Sequence, residues 1–114
     1  MNNILIYKIG KDNCSSCVAF DAMKNRIQNM CPYPILSINN KNIENIEGMT
    51  LNIDGHTVTV PKFSHYMTNF PVFFIYDGDK FVDKFVFKLR GELSLNTFIE
   101  KVNTIVNKYV ANKY

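Results

Sequence analysis

The stretch Cys14-Ser15-Ser16-Cys17 stands where one hydrophobic period gives way to another, and that junction restricts the fold more than any other feature of the chain. Before it, Ile4-Leu5-Ile6-Tyr7-Lys8-Ile9 is a nearly unbroken apolar run of the length expected for a strand buried on both faces. Gly10-Lys11-Asp12-Asn13 is turn and helix-cap chemistry, with Asn13 or Asp12 the expected N-cap. After it, Phe20, Met23, Ile27 and Met30 recur at three- and four-residue steps, which marks one face of a helix. Two cysteines three apart on the first turn of a helix lie close enough to close a disulfide. The first of them meets unpaired backbone N–H groups and the positive end of the helix dipole. That setting favours thiolate over thiol, and the thiolate is the nucleophile. Strand, C-x-x-C and helix in this order therefore point to redox chemistry, against the plainer readings of two ordinary cysteines or half a metal site.

Composition narrows the function classes. A chain of 114 residues is the size of one domain, and 46% hydrophobic against 20% charged residues is a globular balance. The net charge of +3 comes from lysines scattered along the chain, whereas nucleic-acid binding calls for a clustered basic stripe. Apolar runs stop at about six residues, far short of a membrane span. The N-terminal residues carry no secretory pattern, and three cysteines make an odd count for a secreted disulfide framework. The expectation is a cytoplasmic protein with no nucleic-acid or membrane partner, and a monomer.

Further along, Cys31-Pro32-Tyr33-Pro34 stops the first helix, and Ile35 to Ile38 reads as a second strand. Residues 39–47 are a loop or a single helical turn. Asp54-Gly55, set between Leu51-Asn52-Ile53 and Thr57-Val58-Thr59-Val60, predicts a β-hairpin. Pro61 ends it, and Lys62 to Asn69 is expected to form a short helix. Val72-Phe73-Phe74-Ile75-Tyr76 is a second fully apolar strand. Asp77-Gly78-Asp79 turns it into Lys80 to Lys88, where Phe81, Phe85 and Phe87 share one face that Asp83 interrupts. Lys80, Lys84 and Lys88 on the other face would guard an edge strand. Ser94 is the expected N-cap of a last helix whose Leu95, Phe98, Ile99, Val102, Ile105, Val106 and Tyr109 form a continuous stripe that packs on a sheet.

With its elements in this order, the chain resembles the thioredoxin superfamily in its shorter, glutaredoxin-sized form. Cys14 and Cys17 match the family's C-x-x-C, Phe70-Pro71 its cis-proline dipeptide, and Asp77-Gly78 its hairpin turn. Arg90-Gly91-Glu92-Leu93-Ser94 resembles the segment before a thioredoxin's last helix. The resemblance implies an α/β, thioredoxin-like fold, β-α-β-(hairpin insertion)-α-β-β-α, with a central mixed sheet flanked by helices. It covers nearly all of a single domain, residues 1–114, apart from an inserted hairpin at about residues 48–61. The chain departs from the family pattern in its Ser-Ser dipeptide, in Asn13 where a tryptophan is usual, and in Lys8 where thioredoxins bury an aspartate. Lys11 falls where glutaredoxins carry a basic residue, but their glutathione-gripping Thr-Val-Pro and Gly-Gly are replaced by Phe70-Pro71 and a lone Gly91.

The resemblance implies dithiol–disulfide exchange with protein substrates, in which Cys14 attacks and Cys17 resolves the mixed disulfide. Lys11, Ser15 and Ser16 would stabilise the thiolate, with Lys8 a weaker contributor. Phe70 would offer an apolar surface at the site, and the backbone before cis-Pro71 would pair with substrate as one more strand. No cofactor is implied beyond the redox-active Cys14–Cys17 pair. The partners would be a protein disulfide or dithiol and a redox partner: a reductase, an oxidase or glutathione. Two alternatives stand beside this: a redox-linked binding module that uses the inserted hairpin, and a glutaredoxin-like glutathione or iron–sulfur carrier permitted by Ser15. Cys31 reads as a small buried hydrophobe, and His56 and His65 are at no ligand spacing with the cysteines, so no metal site is expected.

Overall fold

A computed structural model of the chain describes residues 3–63 and 67–113. The elements run β1 (Ile4–Gly10), α1 (Ser15–Ala22), α2 (Lys24–Met30), β2 (Ile35–Asn39), a 3₁₀ turn (Asn40–Asn42), α3 (Ile43–Ile46), β3 (Thr50–Ile53), β4 (His56–Thr59), β5 (Val72–Asp77), β6 (Lys80–Val86) and α4 (Glu92–Lys113). Four strands form a mixed sheet in the order β2-β1-β5-β6. β1 pairs parallel with β2 through the helical crossover and antiparallel with β5, and β5 pairs antiparallel with β6. Every residue of β1 is buried, Lys8 included, as a run that is apolar but for that one lysine leads one to expect.

Alternation along the central strands sends side chains into two cores. Leu5, Tyr7, Ile9, Phe74 and Tyr76 face a core roofed by α3, Val58 and Val60, and Phe63. Ile4, Ile6, Phe73 and Ile75 face the other, covered by Phe20 and Ile27 of the first helices and by Leu95, Phe98, Val102 and Val106 of α4. β3 and β4 form a two-stranded sheet of their own, and Leu51 and Ile53 pack against the first core. Their turn has Asp54 at φ 50° and Gly55 at φ 86°, the left-handed pair that a tight hairpin needs.

Several local expectations are corrected. The first helix is broken at Met23, whose N–H bonds back to the Phe20 carbonyl at 3.0 Å before α2 restarts. No proline or glycine explains the break. Residues 62, 63 and 67–69 lie in no helix, and the rest of the helix expected there, His65 included, lies outside the described residues. α4 starts at Glu92, ahead of Ser94. The Ser94 hydroxyl instead accepts from the Arg90 N–H at 2.8 Å and donates to the Gly91 carbonyl at 2.6 Å, tying down the preceding loop.

β6 carries a bulge: Ile75 pairs with Asp83 but Tyr76 pairs with Phe81, which leaves Val82 extra. The bulge resets the side-chain alternation. Phe81 therefore lies edge-on to Tyr76 on the first face, while Phe85 stacks on Phe73 on the second. The shared face expected for Phe81 and Phe85 is thus split, and Asp83 is left exposed. β6 is an edge strand, and Lys80 and Lys84 stand exposed on it.

Candidate functional site

The site lies where β1 ends and α1 begins. Asn13 has φ 57°, a left-handed conformation that asparagine tolerates better than most residues, and with it the chain turns off the strand. Cys14 is extended, at φ −117° and ψ 104°, and is itself the N-cap in place of Asn13 or Asp12. The Cys17 N–H donates to Cys14 Sγ at 3.1 Å, so the sulfur does the work of a capping oxygen. Asp12 is held elsewhere: it accepts from Asn39 at 3.0 Å and from Lys41 at 3.1 Å.

Cys14 and Cys17 are joined by a disulfide with a Cα–Cα distance of 5.2 Å. Both are buried, at 9% and 4% exposure, with the first cysteine the more open of the two. Ser15 is exposed and Ser16 half-buried. In this oxidised form the donor at Cys14 Sγ is the Cys17 amide rather than either serine hydroxyl.

Two further elements close around the pair. The Phe70–Pro71 peptide bond is cis and leads straight into β5, and both residues are buried. Phe70 is only 7% exposed and belongs to the same apolar cluster as Cys14 and Cys17. Its ring is therefore not the open apolar surface expected; it is a wall of the site. Lys11 places its ammonium 5.3 Å from the centre of that ring, which brings the turn after β1 and the Phe70–Pro71 segment together. Beside the start of β5, a groove is lined by Met67, Asn69, Val72, Phe74 and Val86.

Lys8 is the residue that sequence reasoning undervalued. It is the one buried charged side chain among the described residues, at 3% exposure, and it pairs with Asp21 on α1. Its ammonium also lies 5.6 Å from the centre of the Phe20 ring. The signal was present, since a lone lysine inside an otherwise apolar run must find a partner when both faces are covered.

Cys31 is a free thiol buried at the C-terminal end of α2. Burial pushes its pKa up, against a smaller opposing effect of a backbone hydrogen bond at Tyr33. His56 is exposed on the hairpin. No group of three or more histidine, cysteine or acidic side chains is gathered for a metal among the described residues.

A mixed β2-β1-β5-β6 sheet with helices on it, a disulfide at the head of the first helix and a cis-proline opening the neighbouring strand together make a thioredoxin-like fold. Among solved structures it is similar to the reduced form of the periplasmic thioredoxin SoxS from Paracoccus pantotrophus. The TM-score is 0.56 and the identity 12%, over 90% of this chain and 98% of that one. At that identity the likeness is one of fold. No family model and no curated protein matches the sequence. No helix among the described residues is long and apolar enough to cross a membrane.

Proposed function

We propose that the protein is a thiol–disulfide oxidoreductase that exchanges disulfides with protein substrates. The observation that carries this reading is the Cys14–Cys17 disulfide closed across the first turn of α1, with Cys14 Sγ as the helix cap. In the reduced protein the same Cys17 N–H and the start of the helix stabilise a Cys14 thiolate. That thiolate attacks one sulfur of a substrate disulfide. A Cys14–substrate bond forms, the substrate's S–S bond breaks, and its other sulfur leaves as a thiolate that solvent protonates. Cys17, as thiolate, then attacks Cys14 Sγ. The internal disulfide closes, the substrate leaves fully reduced, and two electrons have passed from the protein to it. Run backwards, the same steps oxidise a substrate dithiol.

Substrate is held by backbone as much as by side chains. The segment ending at Phe70 offers main chain for an extended peptide to pair with, and the adjoining groove at Val72 and Val86 takes an apolar side chain of that peptide. Lys11, Ser15 and Ser16 complete the rim. A free Cys31 beside one disulfide suits a reducing compartment, and on that ground we place the protein in the cytoplasm.

The test is trapping. Cys17→Ser protein incubated with a disulfide-bonded polypeptide such as insulin should accumulate a mixed disulfide that dithiothreitol releases, while Cys14→Ser should accumulate none. Absence of any adduct with Cys17→Ser overturns the proposal.

A further inference from the structure

Lys8 lies behind the second cysteine. Seen from Gly10 at the end of β1, a Cβ added to that glycine would stand 3.4 Å from Cys17 Sγ and 3.6 Å from Lys8 Nζ. The ammonium and the sulfur thus flank one small gap beside Gly10. The Lys8 side chain is only 4% exposed, so water does little to screen its charge. Its partner Asp21 is 55% exposed, which leaves the carboxylate far better screened. The two charges therefore do not cancel at the sulfur.

We propose that Lys8 is a positioning residue for Cys17: its buried ammonium, oriented by Asp21, favours the Cys17 thiolate and so speeds the resolving attack on the mixed disulfide. This role rests on the exchange reading above. In the step concerned, the Cys17 thiol gives its proton to solvent and the thiolate formed beside Lys8 attacks Cys14 Sγ. The Cys14–substrate bond breaks and the substrate thiolate departs. The other ionisable groups on the elements around Cys17 are Cys14 at the N-cap and Asp21 on α1, Tyr7 on β1, and Lys11 and Asp12 in the turn between them, Asp12 being held by Asn39 and Lys41. Phe70, Pro71 and Val72 add none. Tyr7, with its pKa pushed up to about 12, stays neutral.

The test follows the Cys17 Cβ resonance by NMR against pH in full-length reduced protein, with Cys14→Ser as background so that the neighbouring thiol does not couple to it. Lys8→Met should raise the Cys17 midpoint by about one pH unit or more. Asp21→Asn, which removes the opposing charge from an exposed position, should lower it. Opposite signs are the signature, because a merely structural disturbance has no reason to reverse between the two. If the midpoint is unmoved in both, or moves the same way, the proposal is overturned. Should Lys8→Met fail to fold, Asp21→Asn alone decides by the direction of its shift. The titration needs no substrate. Opposite shifts without trapping by Cys17→Ser would remove the exchange reading and leave the coupling; trapping with unmoved midpoints would do the reverse.

Discussion

Tyr7 shows how one residue can be both well packed and poorly satisfied. It is fully buried, its ring edge-on to Phe63 at 5.4 Å and to Tyr76 at 5.6 Å, yet its hydroxyl has no hydrogen-bond partner among the described residues. Such an orphaned group costs about 1–3 kcal/mol. Burial, and to a lesser extent Tyr76, pushes its pKa up to about 12. The fold thus favours the neutral phenol. That contribution is complete below the unfolded value of about 10 and is lost as pH rises towards the folded one. Tyr7→Phe is expected to raise the unfolding free energy near neutral pH by about 1 kcal/mol and to flatten its decline on the alkaline side. Urea denaturation of both proteins at neutral and alkaline pH checks this, and a less stable variant would mean that the hydroxyl has a partner in solution.

The β3–β4 hairpin acts as a wall of the first core. Its turn residue Asp54 accepts from Lys24 Nζ at 2.8 Å and from the Ser37 N–H at 2.9 Å, pinning the hairpin to α2 and β2. From the same hairpin Val58 is buried at 8% exposure over Leu5, Tyr7 and Leu36. A hairpin that only decorated the surface would tolerate truncation there. Val58→Ala is instead expected to cost about 1–3 kcal/mol by urea denaturation, and a loss below about 0.5 kcal/mol would return the hairpin to the surface. The hairpin was legible because Asp54-Gly55 between alternating residues has few other uses. Its docking was not legible, since that depends on Lys24 and Ser37, brought in from other elements. The β6 bulge was hidden for a related reason: a period of two cannot reveal where one residue is skipped, and only pairing with Ile75 and Tyr76 locates Val82 as the extra one.

For the molecule as a whole, acid is the predicted weakness. Burial pushes the Asp54 carboxyl upward, but hydrogen bonds from Lys24 and the Ser37 N–H, with the charges of Lys24 and His56, hold it below its ordinary value. Asp12 beside Lys41 and Asn39, and Glu92 beside Arg26, are lowered too. Depressed carboxyl pKa values stabilise the fold above the unfolded value of about 4, and that contribution is lost as pH falls through the folded values. Thermal unfolding should therefore hold steady from neutral pH down to about 5 and fall below about 4. Asp54→Asn, which keeps the turn conformation, should shrink that fall; an unchanged acid limb would show that the Asp54 contacts carry no weight in it. The sequence by itself determined the order of the strands, the helical segments after β1 and after β6, the sheet's two apolar faces and the placing of a cysteine pair at a helix start, because periodicity and turn chemistry are local. Only the tertiary structure decided that Cys14 caps its own helix, that Phe70 is a wall under Lys11, and that Lys8 is buried with Asp21 behind Cys17. The last two are relations between different elements, set by which faces the sheet brings together, and the first depends on the backbone turn at Asn13.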